Sequence, residues 1–187
     1  VWPFKKQPKG FAPKTEPFDQ EKDCVSVTLP KERVQSGDDN ILMVTDCLKA
    51  SGEIVVEFEA DGGRNTAPGI CLFPSAADDQ TLRGGIAVFV ASYTMAVWQI
   101  ELDDAEKITR YKLLGMTVRW FDPEKRHTLR CRFGGNSVVV SVDGSDPAHY
   151  WLQPWFPAKK NPPESFVKAN AKAGVWGCHG KCKFYSM

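Results

Sequence analysis

Three carboxylates, Glu53, Glu57 and Glu59, punctuate the run Gly52-Glu53-Ile54-Val55-Val56-Glu57-Phe58-Glu59. Side chains alternate along a strand, so all three fall on one face, opposite Ile54, Val56 and Phe58. Retaining glycosidases hold two carboxyl groups about 5 Å apart, and an i, i+2 pair such as Glu57 and Glu59 gives a spacing of that order. The plainer role for the same residues is a solvated acidic face over a buried apolar one.

Aromatic rings offer the second chemistry. Sugars stack their C–H faces on rings, and Trp or Tyr leaves a polar edge free for hydroxyls. Tyr93 and Trp98 fall on central predicted strands and Trp120 on a later one. Tyr150, Trp151 and Trp155 fall in a proline-rich stretch. Most Trp in a sandwich pack in the core, which is the expectation for Trp176. Trp151 and Trp155 are the stronger candidates for ligand contact, because a long proline-rich insertion usually has a job or caps the domain.

The remaining candidates are weaker. Cys178 and Cys182 flank His179-Gly180-Lys181, and across a tight hairpin they would lie within disulfide reach. A metal set of Cys178, His179 and Cys182 lacks a second cluster, so no metal is expected there. The acidic pairs Asp38-Asp39, Asp78-Asp79 and Asp103-Asp104 could donate to calcium but match no defined calcium loop. His127, His149 and His179 show no triad spacing, and Gly84-Gly85 precedes a strand, not a phosphate-binding helix. No cofactor is expected beyond that calcium option.

The chain has 187 residues, with 24 Lys+Arg against 23 Asp+Glu and a net charge of +1. That near-neutral balance excludes the basic field of a typical nucleic-acid binder. No apolar run reaches the roughly 20 residues a membrane helix needs. The sequence begins at Val1 without a visible signal or transit peptide. The six cysteines are too sparse to fix a redox compartment, and the reading leans toward a secreted or processed mature protein.

Residues 1–22 form a basic, Pro- and aromatic-rich arm, with Lys5, Lys6, Lys9 and Lys14 beside Trp2, Phe4, Phe11 and Phe18. It reads as a linker lying on the surface, or as an arm docking on a partner. Residues 23–187 form the domain, interrupted by a long insertion at about 147–170. Here period-two alternation dominates, with about ten short strands separated by Gly, Asn and Asp turns. Ile86–Val90 and Ala96–Leu102 read as a strand pair, Lys107–Leu114 and Met116–Phe121 as two strands parted by Gly115. A short helix around Asp103–Tyr111 is the alternative there. His127–Phe133 and Ser137–Val142 form a hairpin through Gly134-Gly135-Asn136. Gly174–Cys178 and Cys182–Tyr185 read as another. The pattern predicts an all-β, antiparallel two-sheet jelly-roll sandwich.

Five segments carry a resemblance: Gly52–Phe58, Gly69-Ile70-Cys71-Leu72-Phe73, Arg126–Arg132, Val138-Val139-Val140-Ser141-Val142-Asp143-Gly144 and Ala173-Gly174-Val175-Trp176-Gly177. Over roughly residues 50–187 their order resembles the concanavalin A-like lectin/glucanase superfamily, which includes laminin-G-like domains. Arg126 stands where the resemblance leads one to expect Trp before the histidine. Hydrolases of that superfamily carry an E-x-D-x-x-E strand, which Glu57-Phe58-Glu59 does not reproduce. The resulting expectation is a noncatalytic, lectin-like carbohydrate-binding module, leaning away from an enzyme. A structural or accessory subunit docking on protein partners through the arm and insertion is the first alternative, and a glycoside-active enzyme using Glu57 and Glu59 the second.

Overall fold

A computed structural model describes residues 18–21, 23–29, 40–48, 51–60, 66–75, 84–91, 93–102, 108–118, 121–122, 125–151, 170–177 and 180–186. Every regular element among them is a strand. One sheet has seven strands in the spatial order β1 (Phe18–Gln20), β2 (Val25–Leu29), β13 (Gly180–Ser186), β4 (Gly52–Ala60), β9 (His127–Gly134), β10 (Ser137–Val142) and β11 (Ala148–Trp151). The other has six: β3 (Asn40–Leu48), β12 (Asn170–Gly177), β5 (Gly69–Ser75), β6 (Gly84–Ala91), β7 (Thr94–Leu102) and β8 (Ile108–Val118). Neighbouring strands pair antiparallel throughout. Phe18–Gln20, which the sequence groups with the arm, is therefore a short edge strand; residues 1–17 lie outside the described residues.

The sandwich follows from the pleat. In β9, Leu129, Cys131 and Phe133 point inward, and Thr128, Arg130 and Arg132 outward. Val138, Val140 and Val142 of β10 and Val56, Phe58 and Phe184 of β4 and β13 complete that inner face. Ile70, Leu72, Ile86, Val88, Val97 and Val175 face them from the other sheet. Each fully buried side chain of this size contributes about 1.5–3 kcal/mol relative to exposure.

The six-stranded sheet is apolar on its outer face too. Register places Phe89 beside Ala96 and Trp98 beside Ala87, in the phase opposite to core residues Val88 and Val97. Phe89 stacks between Trp98 and Trp176, with ring centroids 6.4 and 6.5 Å apart. Trp176 is buried as expected, but against this outer face and outside the intersheet core. Burial falls away toward β8, where Leu113, Met116 and Val118 are exposed.

Two local expectations change. Lys107–Leu114 and Met116–Phe121 are not separate strands: β8 runs through Gly115, with a register shift opposite Val97 and Trp98. No helix occupies the described part of Asp103–Tyr111, since Ile108–Tyr111 belongs to β8. Gly115 instead receives the Tyr150 ring, because a Cβ there would lie 2.2 Å from a ring carbon. Tyr150 thus joins β11 to β8 across the open edge of the sandwich.

The final hairpin is also absent. β12 lies between β3 and β5 in one sheet, and β13 lies between β2 and β4 in the other. The two strands therefore do not pair with each other, and the cross-strand partners of Cys182 are Val27 and Ala60. Cys182 packs in the core and is not disulfide-bonded; Cys178 lies outside the described residues. Cys24, Cys71 and Cys131 are likewise buried and unbridged. No described helix is long and apolar enough to cross a membrane.

Candidate functional site

The outer face of the seven-stranded sheet gathers most polar chemistry among the described residues. It begins at the edge strand β11, whose residues alternate in exposure. Ala148 and Tyr150 turn toward the core, while His149 and Trp151 turn out. Trp151 is 57% exposed, and its ring centroid lies 6.4 Å from that of His149. Ser137 pairs with Trp151 and Val139 with His149, so a polar and an apolar neighbour flank the rings.

Register carries this row inward. Val139 also pairs with Arg132, and Arg132 pairs with Glu53. Arg132 Nε donates to Glu53 Oε1 at 2.9 Å, and Arg130 Nη1 donates to Glu53 Oε2 at 2.6 Å. The Arg132 hydrogen bond, with the nearby Arg130 charge, holds the Glu53 carboxyl below its ordinary range. Two guanidinium groups therefore share one carboxylate, leaving a net positive charge beside the aromatic edge.

A second cluster lies toward β13. Arg126 reaches Glu57 at 3.9 Å and Glu59 at 3.6 Å, and its guanidinium carbon lies 3.6 Å above the Tyr185 ring centre. Tyr185 donates its hydroxyl to Glu59 at 2.7 Å. Burial, with that hydrogen bond to a carboxylate, pushes the Tyr185 phenol up to about 12. Arg126, standing where the resemblance expects Trp, still covers an aromatic ring, now as a cation over a π face. Glu57 and Glu59 do share this face, as the alternation requires, with one cation between them.

The other sequence candidates scatter. Tyr150 packs inward on Gly115, its hydroxyl 3.4 Å from Thr117 Oγ1. Trp98 lies on the outer face of the opposite sheet, and Tyr93 in the turn between β6 and β7. Trp120, Trp155 and the three acidic pairs proposed for calcium lie outside the described residues. No group of three or more His, Cys, Asp or Glu suited to a metal occurs among the described residues. Sequence reasoning missed Arg126, Arg130, Arg132 and His149 as site residues. Their signal was available, because Arg130 and Arg132 alternate with buried Leu129 and Cys131 opposite a strand carrying Glu53.

No family model and no curated protein matches the chain. Solved structures do. The carbohydrate-binding module CBM66 from Bacillus subtilis aligns over 90% of this chain and 88% of its own, with 10% identity and a TM-score of 0.61. A non-specific endo-β-1,3(4)-glucanase of family GH16 aligns over 93% of this chain and 74% of its own, at 15% identity and a TM-score of 0.55. A native glycosidic hydrolase aligns over 92% and 80%, at 10% identity and 0.55.

These matches correct one expectation. The sequence reading leaned away from an enzyme because one strand lacks the expected carboxylate motif. Several of the similar structures carry the names of enzymes, the glucanase and the hydrolase among them, so that lean does not stand. The missing motif describes a single strand, whereas a reactive constellation draws on side chains that several strands bring together. Strand order, antiparallel pairing and these alignments agree on architecture: the chain is a concanavalin A-like jelly-roll β-sandwich, the fold of the lectin/glucanase superfamily.

Proposed function

We propose that the chain engages carbohydrate on the outer face of its seven-stranded sheet, with Trp151 as the stacking ring. The observation that carries this reading is the exposure of Trp151 on an edge strand, beside His149 and next to Ser137 of the neighbouring strand. A large ring left in water is costly, and a pyranose face offers it apolar contact while its hydroxyls meet the flanking polar groups. The shared fold with a carbohydrate-binding module supports the same reading.

A glycan array with the purified chain and its Trp151→Ala variant tests it. Binding should fall at least about tenfold in the variant, the order of a lost stacking contact, with the thermal transition unchanged. An array blank for the folded chain would overturn the reading.

A second reading has its own observation. Glu57 and Glu59 lie on the same face two residues apart in β4, with Cα atoms about 6.6 Å apart, and their flexible side chains can bring the carboxyls to the roughly 5 Å of a retaining pair. In such a pair one carboxylic acid protonates the leaving oxygen while the other carboxylate attacks the anomeric carbon; water then releases the glycosyl group. Reducing-sugar release from a polysaccharide panel, lost in Glu57→Gln with binding retained, would support this. Release that persists in both Glu57→Gln and Glu59→Gln would sink it.

A further inference from the structure

We propose that the glycan taken by this face is anionic, its carboxylate or sulfate held by Arg132 of the Arg130–Glu53–Arg132 cluster, across β10 from the His149 and Trp151 rings. This deepens the carbohydrate reading and rests on it.

Charge within the cluster is unequal. Among the described residues Glu53 is the acidic partner of both guanidinium groups, so this cluster of three carries one positive charge. Glu53 engages Arg132 through Nε and Arg130 through Nη1. Each guanidinium carries five N–H donors, so these bonds leave the terminal nitrogens of Arg132 available for a planar or tetrahedral anion. Arg132 is well placed to use them, because its side chain is 67% exposed.

Position then joins the charge to the ring. Arg132, Val139 and His149 are successive cross-strand partners, so the guanidinium strand and the aromatic strand lie about 10 Å apart across β10. That gap matches one to two sugar residues laid across the sheet, and Val139 and Ser137 form its floor. Glu53 draws both guanidinium groups toward β4, so this floor is left clear. A sugar stacked on Trp151 would thus extend an acidic substituent toward Arg132. A neutral glycan would leave that charge without a partner.

Isothermal titration at fixed moderate salt with three polymers tests this: polymannuronate for carboxylate, dextran sulfate for sulfate and laminarin as a neutral control. One acidic polymer should bind, and Arg132→Gln should weaken it about tenfold, the order expected for a lost charge-assisted bidentate contact. Lys125→Gln removes the same charge from an exposed salt bridge with Asp122 and should leave binding unchanged. Which acidic polymer binds identifies the anion. Equal weakening in Arg132→Gln and Lys125→Gln would overturn the proposal in favour of diffuse charge attraction. Binding of laminarin alone, lost in Trp151→Ala, would overturn it while leaving the carbohydrate reading standing. Binding of none of the three, together with a blank array, would remove both.

Discussion

His127 Nδ1 lies 2.6 Å from Asp143 Oδ2, tying the first residue of β9 to the turn that closes β10. The other ring nitrogen lies 2.6 Å from the Asp122 carbonyl, and Asp143 Oδ1 accepts the Thr128 N–H at 2.8 Å. Asp143 holds a left-handed φ of 51° and Gly144 one of 68°. A short polar side chain tolerates that conformation because it bonds locally. Asp143→Ala should therefore destabilise by about 2–3 kcal/mol in chemical denaturation, combining lost hydrogen bonds with backbone strain. Asp143→Asn, which keeps the left-handed preference, should cost less. Equal costs would show that the turn conformation contributes nothing.

The Tyr150–Gly115 contact predicts coupling between the sheets. Gly115→Ala should cost about 1–3 kcal/mol, because the added methyl collides with the ring. In a Tyr150→Ala background the same substitution should cost much less. Additive costs in the double-mutant cycle would mean the ring is displaced without penalty.

Thiol chemistry should follow burial. Cys131 is fully enclosed, and burial pushes its thiol up to about 12. Cys24, Cys71 and Cys182 are also buried. With a chromogenic disulfide reagent, these four thiols should react only after denaturant is added. Single Cys→Ser variants assign each to the slow phase; rapid labelling of Cys131 in the native protein would contradict the core described above.

Acid and alkali should act through different residues. The Glu53 carboxyl is depressed by its hydrogen bond from Arg132, so its contribution is present above the ordinary value of 4.5 and lost as pH falls through the lower folded value. Urea midpoints measured downward through that window should fall less steeply in Glu53→Gln than in the unmodified chain. Tyr185 has the opposite sign: its folded value is raised to about 12 from 10, so stability is present below 10 and declines as pH rises. Tyr185→Phe should remove that alkaline decline, and an ultraviolet absorbance titration should lose its highest-pH tyrosine.

Much of the fold was legible because alternation and turn chemistry are local. The β9–β10 hairpin needed only His127–Val142, with Gly135 taking φ 58° where the sequence places its glycines. Glu53, Glu57 and Glu59 fell on one face for the same reason. Long-range placement was not legible. Gly174–Cys178 and Cys182–Tyr185 look like two arms of one hairpin, but the choice between layers depends on partners more than a hundred residues earlier. Gly115 reads as a turn until Tyr150 is seen to fill the space above it. The outward phase of Trp176 was hidden because a sheet apolar on both faces reads as a continuous hydrophobic run.

The placement of β12 and β13 has a consequence for how the chain acquires its structure. Without residues 170–186, β3 is parted from β5 through β8, and the β1–β2 pair from β4, β9, β10 and β11. Each sheet is then two unjoined fragments, with edges that expose hydrogen-bonding groups. During synthesis those edges must wait until β12 and β13 leave the ribosome and slot into both layers. Such late, long-distance closure makes for slow folding and a lengthy window of vulnerability to self-association. Holding the nascent chain apart from its neighbours during that window is a demand set by strand order alone.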